Sequence, residues 1–250
     1  MLKLKNPHSV LAALQTRAGD VVEVRFGDRS PHGAWQQVSE LARSLGVPVR
    51  TGRMGQADGG RRQRRDKGGD KDGSGGRTPA AVASVRERPD VGLEQLLATA
   101  GGERHGIWLA LDRLQDPHNI GAIFRTAAFF GVRGVLLTTD QSAPLSAVAY
   151  DVASGGLEHV PFTRASNLAR SLRQVRDAGL WVMGTSERGE EELSEADRDW
   201  LVVIGSEEQG LRRLTLEHCD VVCRLSPRGE IASLNASVAA AVALAVLNPS

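Results

Sequence analysis

The hydrophobic positions follow two different patterns, and the change between them falls near residue 106. In the first part, apolar residues recur at helical spacing, then alternate with polar ones, then recur at helical spacing again. The pattern predicts helices over 6–18 and 35–45 and strands over 21–26, 47–49 and 81–85. These elements predict a small α/β domain over residues 1–86, followed by a linker with one short helix over 87–104.

From residue 106 onward the apolar residues form short continuous runs instead of alternating ones. The runs predict strands over 107–111, 134–137, 180–184, 201–204 and 221–225, with helices over 120–130, 168–178 and 233–247. Strands that are apolar on both faces and interleaved with helices are typical of a parallel sheet covered on both sides. We therefore expect an α/β domain with a parallel sheet over residues 105–250.

Three polar clusters follow predicted strands of this second domain directly, over 116–121, 205–210 and 226–237. Ligands of parallel sheets bind beyond the carboxyl ends of the strands, so the clusters predict one composite site. Ser233 and Asn235 also open the predicted helix over 233–247, where such side chains commonly cap backbone N–H groups. Capping alone and capping combined with a role in the site both stay open.

Composition adds a charge asymmetry to this picture. The 250 residues are 41% hydrophobic and 24% charged, typical of a soluble globular protein, with a net charge of +1. Residues 50–77 nevertheless hold nine Arg and Lys against four Asp, a local excess of five positive charges. The Gly-rich stretch over 51–77 lacks aromatic and branched aliphatic side chains, which predicts a disordered basic insert. Contact with RNA phosphates and a merely solvated insert stay open as its role.

Several classes of site are disfavoured. Cys219 and Cys223 fit neither a disulfide framework nor a Cys-x-x-Cys metal site, and His118 and His159 are interpreted as structural or substrate-adjacent. We expect no metal. The chain shows neither a dinucleotide-binding glycine motif, nor a P-loop, nor a nucleophile elbow. Without a signal-peptide pattern or a run long enough to span a bilayer, the expected location is the cytoplasm.

Three segments together resemble the three motifs of the SpoU/TrmH family of RNA ribose 2′-O-methyltransferases, in the same order and spacing. They are Asn-Ile-Gly-Ala-Ile-Phe-Arg at 119–125, Gly-Ser-Glu-Glu-Gln-Gly at 205–210 and Ser-Leu-Asn-Ala-Ser at 233–237. The similarity covers about residues 106–247. Residues 1–86 resemble the ribosomal-protein-like RNA-binding domain of the 23S rRNA guanosine methyltransferase branch. Asn6 stands there in place of the usual Gly, and Thr78-Pro79-Ala80 in place of a His-Gln-Gly.

The resemblance implies a SPOUT fold whose C-terminal segment forms a deep trefoil knot, an exception to the rule that chains do not thread. It also implies S-adenosylmethionine as cofactor, RNA as substrate, and a homodimer that completes the active site. rRNA is the favoured RNA and tRNA the alternative. The remaining alternative is a non-catalytic RNA-binding or ribosome assembly factor with the same fold, which need not hold the cofactor.

The resemblance also assigns residues. Cofactor-binding positions are Gly205, Leu225 and Leu234, although the two leucines could equally serve core packing. Catalytic positions are Arg125, Asn119, Glu207, Ser233 and Asn235, with Asn119 positioning Arg125 or the nucleotide and Glu207 forming an ion pair with that array.

The role of Arg125 is open between a general base and a phosphate clamp. Deprotonating an Arg whose pKa lies about six units above neutral costs roughly 8 kcal/mol. Binding a phosphate carries no such cost and suits the planar guanidinium. The clamp is therefore favoured.

Overall fold

The structure, a computed structural model, describes residues 1–28, 30–52, 81–206, 209–231 and 233–248. The chain divides into two compact units, Met1–Arg86 and Glu87–Ser250. The first unit contains β1 Leu2–Leu4, α1 Pro7–Arg17, a 3-10 turn Ala18–Asp20, β2 Val21–Phe26, α2 Ala34–Ser44, β3 Val49–Thr51 and β4 Ala81–Val85.

The four strands described in the first unit form one sheet in the order β1-β4-β2-β3. β4 pairs antiparallel with β1 and β2, and β3 runs parallel to β2 at the edge. The edge strand predicted at 47–49 begins two residues later. Val47 is buried, and the Pro48 carbonyl accepts the Val24 N–H before the paired residues of β3 begin at Val49.

One face of this sheet is polar and mostly basic. Lys3 pairs with Ser84, Ser84 with Glu23, and Arg25 with Arg50. Because directly paired residues, and residues two apart on one strand, lie on the same face, all five share it. Glu23 approaches Arg25 at 2.9 Å and Arg50 at 3.7 Å, which leaves the face with an excess of positive charge.

The second unit contains seven strands and seven helices in its described residues. The strands are β5 Ile107–Leu111, β6 Gly134–Thr138, β7 Phe162–Ala165, β8 Trp181–Thr185, β9 Glu191–Glu192, β10 Trp200–Ile204 and β11 Val221–Arg224. The helices are α3 Leu93–Leu97, α4 Pro117–Phe129, α5 Ala147–Ala153, α6 Gly156–His159, α7 Leu168–Asp177, α8 Arg213–Leu216 and α9 Ala236–Leu247.

These strands form one sheet in the order β7-β6-β5-β10-β8-β11-β9, and each described pair is parallel. The predicted α/β architecture with a parallel sheet is thereby confirmed. The sheet is covered on both faces. Trp108 and Ala110 of β5 join a core with α3 and α7, while Leu109 and Leu111 point the other way and are also buried. On that second side α4 packs with α5, α6 and α9, and α9 contacts β10.

One expectation about a connecting segment needs correction, and another stays a prediction. The predicted linker 87–104 packs within the second unit, because Leu96 and Leu97 of α3 enter its core and Val91 N–H donates to the Phe162 carbonyl. Of the predicted insert 51–77, only Thr51 and Gly52 are described. Thr51 belongs to β3, and the rest of the insert lies outside the described residues.

Candidate active site

A cavity of about 480 Å³ lies beyond the carboxyl ends of β8, β10 and β11, and we call it the first cavity. It is lined by the ends of these strands, by the loop after β10 and by the start of α9. Gly205, Leu225, Leu234 and Ser233 all line it. The structure thus brings together the three positions that the resemblance assigned to the cofactor, along with one predicted catalytic residue.

Gly205 occupies the tightest point of this wall. A Cβ at Gly205 would lie 2.3 Å from the backbone carbon of Gly210 and 2.6 Å from the Leu211 nitrogen. The loop closes on itself because Ser206 and Gly210 exchange two backbone hydrogen bonds, of 3.2 and 3.0 Å. Only a residue without a side chain lets the two backbone segments approach this closely.

A second cavity, of about 600 Å³, adjoins the first, since Ser206 and Gln209 line both. We call it the second cavity. Its remaining lining comes from the loops after β5 and β6, the first turn of α4 and the N-cap of α9, namely Arg113, Gln115, Asp116, Pro117, Asn119, Gln141 and Asn235.

Asn119 and Asn235 join two of the predicted motifs at this cavity. The Asn235 Nδ2 donates to the Asn119 Oδ1 at 2.9 Å, while the Asn235 Oδ1 accepts the backbone N–H groups of Ser237 and Val238. One carboxamide therefore caps α9 with its oxygen and bridges to α4 with its nitrogen. Capping by Asn235 is therefore observed, and its catalytic role stays a prediction. Ser233 is exposed and lies before the N-cap, so it does not start the helix.

Arg125 lies apart from both cavities. It is exposed on α4, and within the described part of the chain no hydrogen bond or ion pair engages its guanidinium. Asn119 precedes it by six positions, which places the two about 120° apart around the helix. Arg125 instead shares its face with Phe129, four positions later. Its contact with Asn119 stays a prediction, as does the role of Glu207, which lies outside the described residues.

A buried ion pair that the sequence did not reveal supports the loop after β10. Asp112 is 1% exposed and accepts two hydrogen bonds from Arg212, of 2.7 and 3.1 Å, and one from Thr215 at 2.9 Å. It ties the end of β5 to the start of α8. The partners are 100 residues apart, so spacing carried no signal for them.

The two cysteines are free thiols near the first cavity. Burial, together with the neighbouring Asp220, raises the pKa of the Cys219 thiol to about 12. Burial and Glu191 also raise the pKa of Cys223, which lines the cavity. Both thiols are consequently protonated at neutral pH.

The described residues contain no group of three or more His, Cys, Asp or Glu side chains placed to hold a metal ion. In the same portion of the chain, helices of the length and apolarity needed to cross a membrane are absent.

An all-parallel sheet with two adjoining cavities at the carboxyl ends of its strands defines an α/β protein built to bind ligands at that edge. Comparison with known proteins specifies the class. Residues 106–245 match the model of the SpoU rRNA Methylase family. The 23S rRNA (guanosine-2'-O-)-methyltransferase RlmB of Xylella fastidiosa is 36% identical over 239 residues, covering 95% of this chain and 92% of the relative. Its counterpart from Pseudomonas aeruginosa is 35% identical over 244 residues, covering 97% and 94%.

Solved structures agree on the fold. The SpoU methyltransferase AviRb from Streptomyces viridochromogenes, in complex with the cofactor AdoMet, superposes with a TM-score of 0.72 at 22% identity. The match covers 97% of this chain and 87% of that one. The chain belongs to the SpoU rRNA methylase family. The predicted family and enzyme class are confirmed.

The first cavity fits S-adenosylmethionine, the cofactor of this family. Its size lies within the usual range for ligand sites. Leu225 and Leu234 offer apolar surface for an adenine ring, and the backbone at Gly205 approaches without an intervening side chain. Charged groups for an amino-acid moiety come from Glu187 and Arg188 on the same wall.

Proposed function

We propose that the protein transfers the methyl group of S-adenosylmethionine to the ribose 2′-hydroxyl of a guanosine in 23S rRNA. The observation that carries this proposal is the placement of Gly205, Leu225 and Leu234 in one cavity beside the Asn119–Asn235 bridge. The likeness to the RlmB enzymes over nearly the whole chain supports the choice of RNA. Acting on ribosomal RNA, the enzyme would work in the cytoplasm.

The bound cofactor supplies an electrophilic methyl group on a sulfonium. The chain's own residues hold the reactants on either side of Ser206 and Gln209, which line both cavities. The bridge from Asn235 to Asn119 fixes the start of α9 against α4, so the two walls keep one geometry. Ser233 lines the first cavity and is proposed to bond the cofactor or the substrate.

Arg125 is proposed to clamp a phosphate of the target nucleotide and to orient the hydroxyl. Its exposure supports this role, since a planar guanidinium at the surface can bond a phosphate of a bound RNA through two N–H groups. Glu207 is proposed to form an ion pair that holds this array, on the strength of the motif at 205–210 alone.

We propose a homodimer in which the face of α4 carrying Arg125 meets a second copy. Phe129, on that face, is 83% exposed. On α9, which packs against α4, Val238 and Val242 are also exposed and lie four positions apart. Burying these side chains would favour association, and the partner's cavities would come within reach of Arg125.

Sedimentation velocity tests the dimer. Wild type should sediment as a dimer at micromolar concentration, and Phe129→Asp as a monomer, because a carboxylate would be buried in the interface. The matched control is Leu214→Asp, an exposed leucine on α8. A monodisperse wild-type monomer would overturn the proposal.

The first unit is proposed to bind the RNA substrate, as its resemblance to ribosomal-protein-like domains implies. Its sheet presents Lys3, Arg25 and Arg50 on one face with Glu23 as the acidic neighbour. Such a basic face suits contact with phosphates, and affinity that rests on it falls as salt rises.

The C-terminal segment is proposed to form the trefoil knot. The segment after β8 bonds β11, through Ser186 N–H to the Cys223 carbonyl, and also the end of α9, through Ala196 N–H to the Leu247 carbonyl. The segment after β8 therefore contacts the C-terminal segment both at its start, in β11, and at its end, in α9, and these contacts support a threaded arrangement.

Transfer of label from S-adenosylmethionine to bulk rRNA and tRNA tests the reaction. We expect label in large-subunit rRNA, mapped to a guanosine ribose, and its loss with Arg125→Ala. Label in tRNA alone would overturn the rRNA assignment, and absence of cofactor binding would favour the non-catalytic alternative. Near-normal turnover by Arg125→Lys would exclude both roles considered for Arg125.

A further inference from the structure

The second cavity contains two strained residues. Three non-glycine residues in the described part of the chain have positive φ, and two of them, Arg113 at 62° and Gln141 at 53°, line this cavity. Holding a residue other than glycine in the left-handed region is energetically unfavourable, and such strain concentrates at ligand sites. The third, Ser154 at 48°, is not among the residues that line it.

The surrounding contacts hold both residues in place. Arg113 N–H donates to the Thr138 hydroxyl at 2.8 Å, and its Nη2 donates to Asp140 at 2.9 Å. The Ala143 N–H donates to the Leu114 carbonyl at 2.8 Å. The loops after β5 and β6 are thus fastened to each other, which presents Arg113 and Gln141 to the cavity in a fixed arrangement.

Arg113 also has bonding capacity left over. Its Nε is buried and has no hydrogen-bond partner among the described residues. The Nη1 of the guanidinium also has no hydrogen-bond partner among the described residues, and the side chain is 24% exposed, so an acceptor on a ligand in the cavity can bond there. Around it the cavity offers carboxamides at Gln115, Gln141 and Gln209, and a carboxylate at Asp116.

This set of groups matches a nucleobase. Guanine has acceptors at O6 and N7 and donors at N1 and N2, and Arg pairs with the O6/N7 edge in two hydrogen bonds. Carboxamides and carboxylates match the remaining donors and acceptors. Proteins that read RNA sequence commonly splay a base out of its stack and bond its edges. A base held here would place its ribose toward Ser206 and Gln209, the wall shared with the first cavity.

We propose that the second cavity binds the base of the target nucleoside and that Arg113 and Gln141 make it selective for guanine. The inference rests on the proposed function, since it presumes methyl transfer to RNA.

Glycine substitutions test it without adding strain. Arg113→Gly and Gln141→Gly remove the side chains and suit the left-handed backbone, so the fold should be kept. Ser154→Gly is the matched control, because it relieves the same strain outside the cavity. For each protein we would measure binding of S-adenosylhomocysteine by calorimetry. We would also measure kcat/KM on an RNA carrying the mapped guanosine and on the same RNA with adenosine at that position.

Wild type and Ser154→Gly should prefer guanosine by at least roughly tenfold, and Arg113→Gly should shrink that ratio by roughly tenfold with cofactor affinity unchanged. Gln141→Gly should shrink the ratio less, because the hydrogen bonds of a neutral carboxamide are weaker than those of the charged Arg113 guanidinium. An unchanged ratio in both variants would overturn the proposal. An equal loss of kcat/KM on both RNAs, with a shallower dependence of kcat/KM on salt, would mean that the cavity binds a phosphate. That result would also overturn the proposal. If wild type methylates no RNA at all, the proposed function itself fails, which wild type alone reveals.

Discussion

Replacing Gly205 with alanine would test the link between the loop after β10 and cofactor binding. The added methyl carbon would lie 2.3 Å from the Gly210 carbon, whereas real Cβ atoms essentially never come within 3.0 Å of such a neighbour. The backbone must therefore move by at least 0.7 Å, the difference between these two distances. The obstructing atoms belong to backbone, so no side-chain rotation relieves the overlap.

The magnitude follows from the contacts that such a movement breaks. Ser206 and Gly210 exchange two backbone hydrogen bonds that close the loop, and each is worth about 1 kcal/mol net. If losing both hydrogen bonds destabilises the loop conformation that binds the cofactor, the binding free energy weakens by about 2 kcal/mol, which raises Kd roughly 30-fold.

Calorimetric titration with S-adenosylhomocysteine measures this loss, and urea unfolding measures any change in global stability. Gly131→Ala is the control, because Gly131 has φ of 68° with open space around its Cβ position and does not line the first cavity. It should cost about 1 kcal/mol of stability and leave Kd unchanged. A Kd for Gly205→Ala within twofold of wild type, in a stably folded protein, would refute the reasoning.

Three further changes probe other parts of the second unit. Asp112→Asn should lower the free energy of unfolding by about 2 kcal/mol, because it weakens charge-assisted hydrogen bonds to a carboxylate that is 1% exposed. Asp140→Asn should cost less than about 1 kcal/mol, because that carboxylate is 59% exposed. Cys219→Ala should make the free energy of unfolding fall less steeply as pH rises above 9.0. The raised pKa keeps this thiol protonated in the folded state while the unfolded chain loses the proton near 9.0, so wild-type stability falls as pH rises. Asn235→Asp should keep the α9 cap yet lose the donor to Asn119, and so reduce methyl transfer at least roughly tenfold with little change in stability.

Each of these has a clear contrary result. Equal destabilisation by the two aspartate variants in urea titrations would mean that the buried pair contributes no more than a surface pair. Identical pH profiles for wild type and the Cys219 variant would show that its thiol titrates normally. Full activity in Asn235→Asp, measured as incorporated label, would remove the bridge from the catalytic arrangement.

Local patterns were sufficient where an element's signal lies within its own residues. Helix α1, Pro7–Arg17, lies within one residue of its prediction at each end, and the strands Val21–Phe26 and Ile107–Leu111 were predicted at the positions observed. Short elements were missed because their own residues carry too little of a pattern. Phe162–Ala165 has only two apolar side chains, and α5 and α6 meet at Ser154 and Gly155, whose left-handed backbone interrupts the helical spacing.

The candidate site divides in a similar way. Residue types and order identified the three motifs, since each motif is contiguous in the chain. The bridge between Asn119 and Asn235, the ion pair of Asp112 with Arg212, and the strain at Arg113 follow from segments that meet only in the folded protein.

The sequence alone determined the alternation of buried strands and helices, hence the parallel sheet, the edge where a ligand must bind and the family. Those properties depend on periodicity and on contiguous motifs, which the order of residues contains directly. Only the tertiary structure decided which side chains share a cavity, that Arg125 is not among the residues lining either cavity, and that the predicted linker belongs to the second unit. Residues that meet at the site are about 100 positions apart in the chain. They are brought together by the strand order β7-β6-β5-β10-β8-β11-β9, and no local propensity specifies that order.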